Sequence, residues 1–247
     1  MYEFSSYPGS LGTGYQVQFG GEFAGFSADA WYFKKYNAIS VSALSAAQVS
    51  EVVANCNKVS PPTPPATVPT TVPCYSLNTA VAGTNSDNKT YMVSALWNLA
   101  PVPLKLYAGY EHIAFDNPTN ELAVGTTIIG GYQLAVVNNT PYNNEKTLQV
   151  FWGGAKWSLT QDFDITVAYY GYKLNSFATG AHAGCTDASN SGCSGNLNAA
   201  SLLLDYRLTK RFDICGGTFW NEVVNGLANG YYARNNIATT LGARFKF

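Results

Sequence analysis

The 247-residue sequence predicts an all-β fold in which antiparallel strands form the wall of a transmembrane barrel, and three observations carry that prediction. Apolar residues recur at every second position over long stretches, the period that gives a strand one apolar face. Connections alternate between tight polar turns and long polar loops, as in barrels that cross an outer membrane. Charge is scarce and rings are plentiful: 12% of residues are charged and 14% aromatic, against roughly 25% charged in an average soluble domain.

Nine segments read as strands, over residues 13–21, 24–36, 88–98, 103–115, 146–159, 162–174, 197–208, 211–222 and 235–247. Tyr15, Val17 and Phe19 form the apolar face of the first. In the third it is Tyr91, Val93, Ala95 and Trp97, and in the fourth Leu104, Leu106, Ala108 and Tyr110. The fifth, LQVFWGGAKWSL, leaves its faces open, although Lys156 favours the even positions as the polar side. In the sixth, odd positions are large and apolar while even ones are small or polar until Tyr170. Leu202, Leu204, Tyr206 and Leu208 mark the seventh, and Ile237, Leu241, Ala243, Phe245 and Phe247 the last. One phrase occurs twice, as LTQDFDI (159–165) and LTKRFDI (208–214), each time between two alternating segments. It reads as a hairpin turn used twice, with LAPVPLKL (99–106) as a looser third copy. Long loops are expected over 37–87, 116–145, 175–196 and 223–234, all at the end opposite the tight turns.

Periodicity alone would also suit a soluble sandwich. Charges on the polar faces (Asp29, Lys105, Glu111 and Asp164 among them) suit a wet lumen better than a packed core. Aromatic residues gather near strand ends, at Tyr91, Trp97, Trp157, Phe163, Tyr206, Phe212, Trp220 and Phe247, where interfacial girdles belong. No apolar run is long enough for a spanning helix. A net charge of −1 gives no bulk attraction to nucleic acid, and two histidines, His112 and His182, leave little for metal or acid–base chemistry. The glycine-flanked serine of an acyl-transfer elbow and a phosphate loop are both missing, so no catalytic residue, cofactor or metal site is expected.

The stretches GTTIIGGYQLAVVNN (125–139), VFWGGAKWSLTQDFDITVAYY (150–170), LLLDYRLTKRFDICGG (202–217) and TTLGARFKF (239–247) resemble the C-terminal half of general diffusion porins of Gram-negative bacteria. The resemblance covers most of residues 88–247 and, weakly, 13–36. It implies a porin-type barrel in the outer membrane that passes ions and small hydrophilic solutes. Its partners would be outer-membrane lipid, the outer-membrane assembly machinery and two further copies in a homotrimer. Leu241, Ala243, Phe245 and Phe247 match the family's terminal assembly signal. Such porins have roughly sixteen strands, so residues 1–247 read as one domain forming the C-terminal portion of a larger barrel. Tyr2 to Tyr7 reads as the tail of a further upgoing strand.

Face assignment places Lys105, Glu111, Lys156, Asp164, Asp205, Arg207, Asp213, Arg244 and Lys246 against the lumen water. Cys56 with Cys74, and Cys185 with Cys193, lie in external loops of an oxidising compartment and read as disulfides, whereas Cys215 falls unpaired on the lumen face. Two alternatives stand beside the channel: a non-conducting surface barrel acting as adhesin or receptor, and an outer-membrane hydrolase.

Overall fold

In the computed structural model, residues 2–3, 13–41, 81–119, 132–136, 146–175, 194–228 and 233–245 are described. They contain eleven strands of one sheet. The strands are β1 (Tyr2–Glu3), β2 (Gly14–Phe23), β3 (Phe26–Val41), β4 (Val81–Asn98), β5 (Leu104–Asp116), β6 (Tyr132–Val136), β7 (Lys146–Ser158), β8 (Phe163–Leu174), β9 (Gly195–Thr209), β10 (Phe212–Asn225) and β11 (Asn235–Phe245). A 3-10 turn, Gly226–Ala228, follows β10. The spatial order is β1-β2-β3-β4-β5-β7-β8-β9-β10-β11, every neighbour antiparallel, with β6 lying beside β4. The nine expected segments are β2 to β5 and β7 to β11.

Tight hairpins produce this order. Ala24 and Gly25, at φ 50° and 79°, form the two-residue turn between Phe23 and Phe26, and positive φ at both positions matches the twist of the flanking strands. The repeated phrase does its work through threonine. Thr160 Oγ1 accepts from the Asp162 N–H at 3.2 Å, and Thr209 Oγ1 accepts from Arg211 N–H at 3.2 Å and Phe212 N–H at 3.1 Å. In each copy the hydroxyl satisfies turn donors that the ladder has left behind.

Three loop boundaries differ from the sequence reading. The loop expected over 37–87 is partly strand, because β3 continues to Val41 and β4 begins at Val81. A bulge between Lys35 and Ala38 shifts the register and breaks the alternation; pairing then resumes from Ala38–Ser86 to Val41–Gly83. The span 116–145 holds β6, which pairs parallel with β4 on the edge that β5 vacates after Asp116. Parallel pairing with a distant strand leaves no turn signal in the sequence. The span 223–234 begins inside β10, which reaches Asn225.

The bulge is held by a buried polar tie. Asn37 takes φ 49°, and its N–H donates to Asp87 Oδ1 at 2.9 Å. Asp87 Oδ2 accepts from Thr119 N–H at 3.2 Å and from Thr119 Oγ1 at 3.1 Å, so one carboxylate joins β3, β4 and the segment leaving β5. Asn85 Nδ2 donates to Asn37 Oδ1 at 3.2 Å.

The sheet is the open arc expected of an incomplete barrel. Among the described residues, β11 pairs with β10 alone, and β2 has a second neighbour only at Gly14 and Tyr15. Accordingly Phe19 and Phe23 on β2, and Ile237 and Leu241 on β11, are the most exposed large apolar residues. A single layer has no interior core, and most of the buried apolar residues among those described, such as Ala114, Ala199 and Val223, are small.

Candidate functional site: two faces of one wall

Residues directly opposed in a ladder share a face, so the registers sort every strand residue to one side or the other. One face carries Phe23, Phe26, Trp97, Leu104, Trp157, Phe163, Tyr206, Phe212 and Phe245 in a row beside the tight turns. Toward the long-loop end of that face stand Tyr15, Tyr32, Tyr91, Tyr110, Phe151, Tyr169 and Trp220. Rings within this second row meet: Tyr32 and Tyr91 lie 5.1 Å apart, Phe151 and Tyr169 6.1 Å. Between the rows lie aliphatic and small residues, among them Val17, Val93, Leu106, Val167, Leu202, Leu204 and Ile214, with no ionised side chain among the described residues. An apolar band between two aromatic girdles is the surface a bilayer requires of a barrel.

The opposite face carries the charge. Lys105 opposes Lys156; Asp164 opposes Asp205; Asp213 opposes both Arg207 and Arg244. Eight of the nine residues expected at the water therefore share one face, and Lys246 lies outside the described residues. Six of the eight form one ladder across β7 to β11. Asp164 accepts from Lys156 Nζ at 2.9 Å and from Arg207, and Arg207 also donates to the Gln161 carbonyl of the turn. Asp213 accepts from Arg244 Nε at 2.9 Å, and Arg244 reaches on to Asp205 at 3.3 Å. The repeated phrase is now explained in full: its Thr closes the turn, its Phe enters the girdle, its Asp grips an arginine on the neighbouring strand, and its Ile enters the apolar band.

Two expected lumen residues stand apart from the ladder. Lys105 is exposed and has no partner among the described residues, its neighbours being Asn98 and Lys156. Glu111 sits farther up β5 between Met92 and Val150. His112 points to the other face, opposite Tyr91 and Gln149, so it and Glu111 cannot act on one substrate atom. Cys215 is a free thiol on the wet face. Cys56, Cys74, Cys185, Cys193, His182 and Phe247 lie outside the described residues, while Leu241, Ala243 and Phe245 line the lipid-type face of β11.

The wet face also holds rings that the sequence reading left unassigned: Trp31, Phe33, Tyr107, Trp152, Tyr170, Tyr172 and Phe219. Trp152 lies over Gly109, where a Cβ would fall 2.1 Å from the indole, and Tyr107 lies over Gly154, where the gap would be 2.4 Å. Each glycine on one strand is thus roofed by a ring from its neighbour. The even positions Val150, Trp152, Gly154 and Lys156 of β7 are on this face, as Lys156 suggested.

No protein-family model and no curated protein matches the chain. Among solved structures it is similar to outer-membrane expressed OmpT of Vibrio cholerae, with a TM-score of 0.56 and 8% identity, over 96% of this chain and 56% of that one. The toluene transporter TodX of Pseudomonas putida matches over 95% of this chain and 60% of that one, at 10% identity and a TM-score of 0.39. The chain therefore spans little more than half the length of the structures it matches. The fold is that of an outer-membrane β-barrel, and the expected outer-membrane localisation accords with it.

Proposed function

We propose that this chain forms the wall of a passive, water-filled outer-membrane channel of the porin kind, passing ions and small hydrophilic solutes. One observation carries the reading: between the girdles, ionised side chains occupy one face and are absent from the other among the described residues. A barrel whose interior was packed would have no use for Lys105 and Arg244, both exposed on that face. Charged side chains along a water path set the local potential that passing ions meet. Across β7 to β11 the three acids and three bases of the ladder neutralise one another, leaving Lys105 as a cation without an ion-pair partner among the described residues. Weak discrimination between small solutes is the expected behaviour. The resemblance of residues 125–139, 150–170, 202–217 and 239–247 to general diffusion porins supports the same reading.

Thiol chemistry on outer-membrane vesicles from cells that make the protein tests it. In a Cys215→Ser background, which removes the free thiol already on the wet face, a membrane-impermeant, charged maleimide should label Leu203→Cys and reduce ion flux, while Leu204→Cys should stay unlabelled. Equal labelling at both positions would refute the face assignment. Correct labelling with no ion flux at all would favour the non-conducting surface barrel.

A further inference from the structure

Near the long-loop end of the wet face, β8, β9 and β10 line a half-open hollow that passive diffusion does not use. Tyr170 opposes Ala199, Tyr172 opposes Leu197, and Phe219 stands on β10 two residues from Asn221, which opposes Ala199. Leu227, from the 3-10 turn after β10, completes the lining. The cavity measures about 430 Å³, inside the range of roughly 300–1,000 Å³ usual for small-molecule sites. The relief has a simple cause: the methyl group of Ala199 forms a floor between larger rings.

Such a lining is costly on a wet wall. Each square ångström of apolar surface left in water costs about 25 cal/mol. Tyr170 and Tyr172 nonetheless break the small-or-polar pattern of the wet positions of β8, which Thr166 and Ala168 obey. No ionised side chain lines the hollow. The phenol hydroxyls of Tyr170 and Tyr172 have no hydrogen-bond partner among the described residues, whereas Tyr169, on the other face, bonds to Asn198 at 2.7 Å.

We propose that this hollow binds a neutral monoaromatic solute of the phenol class. A flat ring stacks on Tyr and Phe side chains in offset or edge-to-face geometry. An ionised solute would lose hydration there without meeting an opposite charge. A sugar, with a hydroxyl on almost every carbon, would leave most of them unsatisfied against aliphatic and aromatic carbon. A phenol presents one hydroxyl, and the two tyrosine hydroxyls can donate to it or accept from it. The proposal rests on the channel reading for how the solute arrives, but the site itself is an equilibrium property of β8 to β10.

Equilibrium dialysis of the full chain in detergent micelles against phenol tests it, with protein-free micelles subtracting partition into detergent. Saturable binding is expected, weakened about tenfold by Phe219→Ala, which removes one stacking ring. The double variant Tyr170→Phe/Tyr172→Phe keeps the shape of the wall; it should weaken phenol about three- to tenfold and leave benzene unchanged. Glucose should show no saturable binding. Phenol uptake equal to the micelle blank would overturn the proposal. So would saturable binding insensitive to both variants, and glucose bound as well as phenol would overturn the ligand class. Far-UV circular dichroism confirms that each variant keeps its sheet. A protein that conducts but does not bind phenol refutes the site alone. One that binds phenol but passes no ions refutes the channel and leaves the site standing.

Discussion

Leu203 and Leu204 are neighbours of identical chemistry and nearly identical exposure, 38% and 39%, yet they stand on opposite faces of the wall. Leu203 opposes Thr166 and Gly217 on the wet side; Leu204 opposes Ile165 and Gly216 on the lipid side. Along β9 both lie close to the midpoint between Tyr206 and Ala200, the latter level with Tyr169 and Trp220 in the second girdle. An arginine near the bilayer midplane on the lipid face of a barrel costs about 2–4 kcal/mol. Leu204→Arg should lose that amount. Leu203→Arg places its guanidinium in water two residues from Asp205 on the same face, so its cost should stay within about 1 kcal/mol. The difference, about 1–4 kcal/mol, corresponds to roughly 5- to 900-fold in the folding equilibrium. Guanidinium unfolding in phospholipid vesicles, fitted with a common slope, measures both. Equal costs within about 0.5 kcal/mol would refute the two-faced wall, and a larger loss at Leu203 would invert it.

Asp213→Ala removes two hydrogen bonds from Arg244 and leaves it only the 3.3 Å contact to Asp205; the same unfolding assay should read a loss of stability, and a smaller one when Arg244 is already Ala. In single-tryptophan variants, Trp157 should be quenched by lipids brominated near the headgroup, whereas Trp152 should respond to aqueous iodide; a reversed pattern would contradict the β7 assignment. Peptide mass mapping without reduction should recover Cys56 joined to Cys74 and Cys185 joined to Cys193; four free thiols would count against it.

The strands were legible because a period of two is a strong signal when one face meets lipid, and β2 and β11 keep it over their whole crossing. The fifth segment was ambiguous for a reason now visible. Val150 and Trp152 stand on the wet face of β7 beside Lys156, so both sides of that strand look apolar. The hollow between β8 and β10 left a trace too, since Tyr170 is where the alternation of β8 fails. Pairings within the charge ladder were not legible: Asp164 with Lys156 and Arg207, like Asp213 with Arg244, depends on register between strands. β6 and the Asn37 bulge escaped for the same reason, because both depend on where β4 and β5 end relative to each other.

The spacing of the two girdles also determines where this wall is comfortable. From Phe26 to Tyr32, or from Trp157 to Phe151, a strand climbs about 20 Å, and a tilt near 40° reduces that to about 15 Å along the membrane normal. Ring side chains reaching up and down add several ångströms, so the hydrophobic height falls well short of the ~30 Å core of an average bilayer. Each ångström of mismatch costs a fraction of a kcal/mol through thinning of the lipid, and the bacterial outer membrane is thinner than average. A wall of this height therefore distorts a bilayer of average thickness more than it distorts the thinner outer membrane. Six residues of strand between aromatic rows thus set a hydrophobic height that a thinner bilayer accommodates with less distortion.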